Sequence, residues 1–276
     1  MFLSFIACKS GEERENDSGR MMRYLPGAPV TESDARTVQR RLSFILRRMD
    51  QEQYPRVLDI GIGHGTYLNH LMAHAKEFVG IDISQENLRG IRHGQSGTPA
   101  ELLKMSAEDL GFPDASFDLV LLIDVFEHLA DDRKVLSEMY RVLNPGGILI
   151  VTAPNKLFPF ETHGCKIRGE QVDTRYFGVP FLPYLPDSWR ARYANVRVST
   201  PWQLRKKLQS AGFRIRKTGY IGPNFDRIRT RYPGSKQLMK IFQTCSGILE
   251  GIPLVQLFST TIIICAEKPA GMPGKP

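Results

Sequence analysis

A strand-like run that contains an acid and leads into three evenly spaced glycines is the first place where this chain could do chemistry. Residues 56–60 are mostly apolar and include Asp59, and Gly61, Gly63 and Gly65 follow at every second position. A glycine turn between a strand and a helix lets a ligand approach bare backbone and meet the N-terminus of the helix. The sequence therefore predicts a nucleotide-binding turn here.

The spacing of the glycines and the two nearby acids narrow the ligand. A dinucleotide fingerprint is GxGxxG, whereas this chain has GxGxG, with Thr66 where the third glycine would fall. Asp59 would repel a pyrophosphate and attract an ammonium group. Asp82 closes the next predicted strand, where it could accept hydrogen bonds from ribose hydroxyls. A ligand that carries both an amino acid and a ribose meets these requirements.

A histidine close to an acid lies in an aromatic loop after the predicted fifth strand. Glu161 and His163 are two residues apart in this loop. A carboxylate in that position can orient an imidazole and tune its basicity. His163 is therefore a candidate general base, with Glu161 as its partner. The alternative, to which we give equal weight, is that His163 only stabilises the loop.

Alternating strand and helix patterns position these residues. Apolar runs predict strands at 56–60, 77–82, 102–104, 117–123, 148–152, near 213–220 and at 260–266. Helices are predicted at about 65–74 and after three capping residues, Ser84, Asp131 and Thr200. Such alternation predicts an α/β fold with a parallel sheet and helices on both faces.

An amphipathic helix is predicted at the N-terminal side of the first strand, over residues 31–50. Thr31 and Asp34 resemble a capping box. Apolar residues then recur at helical spacing, at Val38, Leu42, Ile45 and Met49. Arginines fill other positions, at Arg36, Arg40, Arg41, Arg47 and Arg48. We favour a solvated face on a packing helix, and the alternative is a lid over the ligand.

The chain is predicted to hold one domain over residues 31–268, preceded by a tail at 1–30. The tail has a short apolar run with no positive residue before it, so we expect no signal peptide. We expect either a disordered tail or translation from Met21 or Met22. A ligand-binding core and two insertions follow the N-terminal helix, at 56–155, 154–200 and 221–258.

The net charge of +8 is concentrated in one stretch. Residues 214–240 hold eight Lys and Arg and one acid, Asp226, which favours an anionic partner for this surface. From 241 to 266 the only charge is Glu250, and two glycines and a proline interrupt the apolar run. We favour an amphipathic helix that touches an anionic membrane or covers a lipid-like acceptor. A helix buried on the protein itself is the alternative.

Four stretches of the chain resemble the class I S-adenosylmethionine-dependent methyltransferases, in particular the branch that includes the quinone-biosynthesis methyltransferases (methyltransferase type 11). These stretches are residues 57–65 (VLDIGIGHG), 79–84 (VGIDIS), 106–128 and 143–154 (LNPGGILIVTAP). The resemblance implies a Rossmann-like fold with seven strands, of which the last is reversed. It also implies the cofactor S-adenosyl-L-methionine.

The resemblance assigns cofactor-binding roles to residues of this chain. Asp59 and the three glycines would hold the methionine part of the cofactor, Asp82 the ribose, and Ile83 would pack against adenine. The turn formed by Ser106, Ala107 and Glu108 would lie along the adenine edge. Many relatives have an acid at the position of Ser106, so Glu108 or backbone groups are expected to substitute. Asp124, at the tip of the fourth strand, would lie near the sulfonium.

The same resemblance raises the question of a metal. Asp124, Glu127 and His128 resemble an acid-x-x-Glu-His signature of quinone O-methyltransferases that has been linked to a divalent metal. A Glu-His pair also ends this strand in many relatives without a metal, and we expect none here. The four cysteines are scattered without metal spacing, which suits a reducing compartment and a cytoplasmic protein.

Three functions are compatible with these features. The leading hypothesis is methyl transfer to a small or lipid-linked acceptor, at a hydroxyl, with peripheral contact to an anionic membrane. The first alternative is an RNA methyltransferase that uses the basic stretch for phosphates. The second is a protein that binds S-adenosylmethionine without catalysis.

Overall fold

The chain folds around one seven-stranded sheet in the computed structural model, which describes residues 32–91, 100–161, 163–167, 170–172, 179–223 and 252–271. With strands numbered along the chain, the members of this sheet are β1 (Tyr54–Ile60), β2 (Ala75–Asp82), β3 (Ala100–Lys104), β4 (Phe117–Leu122), β5 (Leu143–Pro154), β10 (Arg214–Ile221) and β11 (Thr261–Glu267). Their spatial order is β10-β11-β5-β4-β1-β2-β3.

All the strands of this sheet except β11 run in the same direction. The pairs β1–β2, β1–β4, β2–β3 and β4–β5 are parallel, and β11 is antiparallel to β5 and to β10. This confirms the expected mostly parallel sheet with a reversed last strand. The strand order reverses between β1 and β4, whose carboxyl ends meet at Ile60 and Leu122. A crevice for a ligand is expected at such a switch point.

Helices cover both faces of the sheet, as the alternation predicted. One face packs against α1 (Glu32–Leu46), α2 (Leu68–Met72) and α3 (Gln85–Arg89), and the other against α4 (Asp132–Val142) and α6 (Pro201–Ser210). Successive strand residues point to opposite faces, so Leu119 packs with the first group and Val120 with the second. Two further short helices, α5 (Asp187–Arg190) and α7 (Pro253–Gln256), belong to the insertions at 154–200 and 221–258.

The predicted helix caps are confirmed where the structure describes them. The Ser84 hydroxyl accepts a hydrogen bond from the Asn87 N–H at 3.3 Å. The Asp131 carboxylate accepts from the N–H groups of the first turn of α4. Thr200 and Gln203 form a capping box that begins α6. These caps satisfy N–H groups that have no partner inside their own helices.

Several element boundaries differ from the sequence prediction, most clearly those of the helix after the glycine turn and of the fifth strand. The helix after the glycine turn has five residues, Leu68–Met72, because the turn itself continues through Gly65, whose φ is +73°. The fifth strand, predicted at 148–152, spans Leu143–Pro154 and so includes Gly146. Its backbone pairs with the residue after β11, since Gly146 N–H donates to the Lys268 carbonyl at 2.8 Å.

The Pro-rich insertion forms small sheets beyond the carboxyl end of β5. β6 (Phe160–Glu161) pairs with β9 (Val179–Pro180), and β7 (Cys165–Ile167) pairs with β8 (Glu170–Val172), both antiparallel. The insertion therefore stands at the same edge of the sheet as the carboxyl ends of the parallel strands.

Some predictions fall outside the described residues. These are the tail at 1–30 and, within the insertion at 221–258, the stretch 224–251 that carries the predicted amphipathic helix. Within the described part of the chain, no helix has both the length and the apolar character needed to cross a membrane.

Candidate functional site

The glycine turn and two buried acids lie together where β1 and β2 end. Asp59 is the penultimate residue of β1, Asp82 is the last residue of β2, and both side chains are buried. The turn between β1 and α2 has φ values of +73° at Gly61, +56° at Gly63 and +73° at Gly65. Side chains are disfavoured in this left-handed region, which explains the three glycines.

Close packing adds a second requirement at Gly61. A Cβ on this residue would lie 2.3 Å from Cγ2 of Val125, whereas a Cβ on Gly63 would have no neighbour nearer than 4.0 Å. The glycine turn thus packs directly on the loop after β4, which carries Asp124. Open space beside Gly63 leaves its backbone available to a ligand.

Asp82 holds the turn and the next helix in place. Its Oδ2 accepts a hydrogen bond from the Gly63 N–H at 2.9 Å, and its Oδ1 accepts from the Ser84 N–H at 2.8 Å and from Asn87 Nδ2 at 3.1 Å. Each carboxylate oxygen can accept two hydrogen bonds. Oδ2 therefore keeps capacity for a further donor, such as a ribose hydroxyl.

Asp59 is a buried acid with no cationic partner among the described residues. Burial, and to a smaller extent the nearby charge of Asp82, raise its pKa to about 7. A carboxylate taken out of water is costly unless a cation or hydrogen-bond donors compensate. The position therefore suits the ammonium group of a ligand.

The residues predicted to contact adenine differ in their surroundings. Ile83 is 69% exposed, an apolar side chain left open beside Asp82. In the turn after β3, the Ser106 hydroxyl accepts a hydrogen bond from the Glu108 N–H at 3.2 Å, and Ala107 is half-buried. Glu108 Oε1 accepts from the Asp131 N–H at 3.4 Å, at the start of α4. Its carboxylate thus has a structural partner, and the adenine contact of this turn stays a prediction.

Asp124 has an unusual backbone and a strong partner. Its φ of +55° lies in the left-handed region, which turns the chain sharply after β4. Its N–H donates to the Thr152 hydroxyl at 2.8 Å, and that hydroxyl donates to Asp124 Oδ1 at 3.2 Å. Arg41 Nη1, on α1, donates to Asp124 Oδ2 in an ion pair. The helix predicted as a packing element or a lid therefore reaches the site through one arginine.

Glu127 is a buried acid that the sequence suggested only as part of a metal signature. It lies in a single 3₁₀ turn, Phe126–His128, and its Oε2 is buried with no hydrogen-bond partner among the described residues. Its pKa is raised to about 7, mainly by burial and next by the charge of Asp124, while His163 and Arg41 act in the opposite direction. A carboxyl group with a pKa near neutrality is suited to proton transfer.

The predicted pair of Glu161 and His163 is brought together. The backbone N–H of His163 donates to Glu161 Oε1 at 2.8 Å, and Nδ1 of the His163 ring lies 3.6 Å from the same oxygen. Glu161 is 1% exposed, and its Oε2 is also buried without a partner among the described residues. The charge of His163 also acts on Glu127, so the histidine is within electrostatic reach of two carboxyl groups from different parts of the chain.

The three suggested metal ligands lie in different surroundings, and Glu127 is buried. Asp124 is paired with Arg41, and the His128 side chain is exposed. Across the described ranges, no three or more His, Cys, Asp and Glu side chains are grouped so that they could hold a metal ion.

Sequence comparisons connect this site with known proteins. Residues 58–151 match a family described as a methyltransferase domain. A ubiquinone biosynthesis O-methyltransferase of Rhizobium etli is 35% identical over 186 residues, which cover 66% of this chain and 68% of that protein. Ajmaline N-methyltransferase of Rauvolfia serpentina is 36% identical over 140 residues, 46% of this chain and 48% of that protein.

Coverage is smaller for another relative. A protein of Mycolicibacterium smegmatis named a probable S-adenosylmethionine-dependent methyltransferase is 32% identical over 102 residues, 37% of this chain and 38% of that protein. The chain thus spans less than half the length of this relative and of the Rauvolfia enzyme.

Solved structures share the fold. An S-adenosylmethionine-dependent methyltransferase from Mesorhizobium loti superposes with a TM-score of 0.55 at 16% identity, over 83% of this chain and 97% of that one. The [4+2]-cyclase SpnF gives a TM-score of 0.55 at 20% identity, over 84% of this chain and 82% of that one. Since one of these proteins is named a cyclase, the fold alone does not determine the chemistry. The 35% identity over two thirds of the Rhizobium protein, the matching domain and the seven-stranded sheet together show that this chain belongs to the class I S-adenosylmethionine-dependent methyltransferases, whose cofactor is S-adenosyl-L-methionine.

Proposed function

We propose that this protein transfers a methyl group from S-adenosylmethionine to a hydroxyl of a small or lipid-linked acceptor. The observation that carries the proposal is the position of His163, 3.6 Å from Glu161 and within electrostatic reach of Glu127. A hydroxyl must lose its proton as the methyl group arrives, so its transfer benefits from a base.

Residues at the carboxyl ends of the strands would hold the methyl donor. Asp59 would face the ammonium group, and the methionine part of the donor would lie along the open backbone at Gly63. Asp82 Oδ2 would accept a hydrogen bond from the ribose. Exposed Ile83 would cover the adenine, and the turn at 106–108 would border its edge. Asp124, beside the turn, would face the sulfonium.

Transfer then requires alignment and one proton acceptor. The acceptor oxygen attacks the methyl carbon, the oxygen–carbon bond forms as the sulfur–carbon bond breaks, and the electron pair of that bond stays on sulfur. His163 takes the hydroxyl proton, and Glu161 stabilises the imidazolium that results. Holding donor and acceptor in line supplies much of the rate enhancement.

The relatives and the basic surface inform the choice of acceptor. The Rhizobium relative is named an O-methyltransferase and the Rauvolfia relative an N-methyltransferase, which makes an amine the competing acceptor. Neither relative is named for an RNA substrate, and the pairing of Arg214 with Glu267 and of Arg216 with Asp50 leaves the other residues of the basic stretch for any anionic contact. We therefore favour a small or lipid-linked acceptor over RNA.

The membrane and domain predictions remain part of this proposal. A lipid-linked acceptor would be reached at an anionic membrane, with the basic stretch 214–240 as the contact and residues 31–268 as one folded domain. Co-sedimentation with phosphatidylglycerol vesicles that weakens as the salt concentration rises would support this contact. Co-sedimentation with neutral vesicles but not with phosphatidylglycerol vesicles would contradict it.

The acceptor is tested with methyl-labelled S-adenosylmethionine. The purified protein is incubated with separate lipid, small-molecule and RNA fractions of a cell extract, and the labelled product is identified. We expect label on an oxygen of an organic molecule. Label on RNA or on nitrogen would replace the proposed acceptor, and cofactor binding without any transfer would contradict the proposed activity.

The base is tested by His163→Ala. Turnover should fall by about 10²- to 10⁴-fold, the usual contribution of a general base, while cofactor affinity stays the same. His70→Ala is the matched control because His70 is exposed on α2 and should keep full activity. Unchanged turnover of the His163 variant would remove this residue from the mechanism.

A further inference from the structure

We propose that Arg41 is an internal counter-ion of the donor site, which pairs with Asp124 until the sulfonium of S-adenosylmethionine takes its place. In this way Arg41 sets how strongly the site prefers the cationic donor to its neutral product, S-adenosylhomocysteine. The inference rests on donor binding as proposed above and adds a residue that determines ligand preference.

The ion pair joins distant parts of the chain at the place where the donor should react. Arg41 and Asp124 are 83 residues apart. Asp124 follows β4, and its neighbour Val125 packs on the glycine turn at Gly61. The Thr152 hydroxyl fixes the position of the aspartate from β5. A carboxylate held in this way is a preformed partner for a cation.

The pair is accessible enough to be exchanged. The side chains of Arg41 and Asp124 are 23% and 33% exposed. In an ion pair that keeps some contact with water, hydration of the separated charges offsets part of the attraction. A second cation that is bound by many other contacts can therefore compete with the guanidinium for Asp124.

Among the described residues, the charges that act on Arg41 come from two acids and a tyrosine. Tyr67 shares a hydrogen bond with Arg41 and is also acted on by the charges of Asp124 and Asp59. Glu127 is a further acid, and its charge interacts with both Arg41 and Asp124. Arg41 therefore occupies the position of a cation among carboxyl groups, which is the position that the donor's positive charges would take.

The methyl donor and its product differ in the one property that this pair can sense. S-adenosylmethionine carries a sulfonium cation, and loss of the methyl group leaves an uncharged thioether with the same ammonium, carboxylate and ribose. Competition with Arg41 weakens only the part of the binding free energy that comes from the sulfonium. The wild-type protein should thus prefer the donor less strongly than a protein in which Asp124 has no guanidinium partner.

Calorimetric titration of both ligands tests this inference. In Arg41→Ala, the ratio of the product's Kd to the donor's Kd should rise by about tenfold, the effect of one partly screened charge pair. In Asp124→Asn the ratio should fall below the wild-type value, and the double variant should match Asp124→Asn. Arg47→Ala is the control, since Arg47 is exposed, follows the last residue of α1 and contacts the Phe44 ring.

Two outcomes would overturn the inference while leaving the proposed function intact. Equal weakening of both ligands in Arg41→Ala would mean that Arg41 binds a group common to both, such as the carboxylate. An unchanged ratio would mean that the ion pair is not exchanged. Failure of the wild-type protein to bind S-adenosylmethionine would instead contradict the proposed function itself.

Hydrogen exchange of α1 provides a readout that does not depend on a variant's folding. If the sulfonium releases Arg41, amides of α1 should exchange faster with S-adenosylmethionine bound than with S-adenosylhomocysteine bound, because α1 loses its contact with Asp124. Arg41→Lys, which keeps the charge, should retain this difference. Identical exchange with the two ligands in the wild-type protein would contradict the inference.

Discussion

Two acids of the site, Asp59 and Glu127, have their pKa raised to about 7 by the same first cause, burial. The second cause of the raised pKa differs between them, because the charge of Asp82 acts on Asp59 and the charge of Asp124 acts on Glu127. Near neutral pH each acid can exist in both forms. Asp59 is thus suited to gain its charge as a cation arrives, and Glu127 to gain or lose a proton during reaction.

Cofactor affinity should depend on pH through Asp59. The ionised carboxylate attracts the ammonium group of the donor, and its population rises as the pH increases through about 7. Between pH 6 and pH 7.5 the affinity for S-adenosylmethionine should increase by roughly five- to tenfold. Titration calorimetry at several pH values measures this change.

Asp59→Asn is the matched variant for that titration. It should bind the donor more weakly at pH 7.5, and its affinity should change little between pH 6 and pH 7.5. A wild-type affinity that is flat over this range, or that falls as the pH rises, would contradict the assigned role of Asp59.

At the scale of elements, the glycine turn and the loop after β4 act as one unit. Gly61 and Gly63 both have positive φ, but only Gly61 is in contact with the β4 loop through Val125. A change at Gly61 should therefore move the loop that carries Asp124, whereas a change at Gly63 should strain only the turn itself.

Alanine substitutions should separate these two effects. Gly63→Ala should reduce the free energy of unfolding by about 1 kcal/mol, the cost of a left-handed backbone at a residue with a Cβ. Gly61→Ala should cost about 2–4 kcal/mol, because overpacking against Val125 adds to the same strain. Urea denaturation measures both changes.

A second substitution tests the cause. Val125→Ala removes the atoms that a Cβ on Gly61 would meet, so it should recover part of the loss in the Gly61→Ala background and none in the Gly63→Ala background. Equal rescue in both backgrounds would mean that contact with the β4 loop is not the reason for glycine at position 61.

At the scale of the whole molecule, the buried acids should make stability depend on pH. A carboxyl group whose pKa is higher in the folded protein binds more protons there than in the unfolded chain. Its contribution therefore favours folding at low pH and is lost as the pH rises from the unfolded value through about 7. Asp59 and Glu127 both have this sign.

The variant Glu127→Gln should reveal this dependence. Its free energy of unfolding should match the wild type at pH 5 and exceed it by on the order of 2 kcal/mol at pH 8, since the amide has no charge to bury. Urea denaturation at both pH values measures the difference. Glu101→Gln is the control because Glu101 is exposed on β3, and its difference from wild type should not change with pH. A Glu127→Gln variant that is less stable than wild type at pH 8 would contradict the prediction.

Local patterns in the sequence determined much of the fold and the donor side of the site. The order of strands and helices, the caps at Ser84, Asp131 and Thr200, and the glycine turn all depend on short-range periodicity and backbone preference. These are properties of neighbouring residues, so they can be predicted without knowing the partners of each element. The acids at the ends of β1 and β2 followed from the same reasoning.

Only the tertiary structure decided which charged groups meet. The N-terminal helix predicted over residues 31–50 has five arginines. Nothing in their spacing indicated that Arg41 would pair with Asp124. Glu127 belonged to a metal signature in the sequence, whereas in the fold it is a buried acid acted on by Asp124 and His163. Pairing and pKa depend on distances and burial between residues far apart in the chain. Periodicity carries no information on these quantities. They depend on how the strand order of the sheet brings α1 and the loop after β4 together.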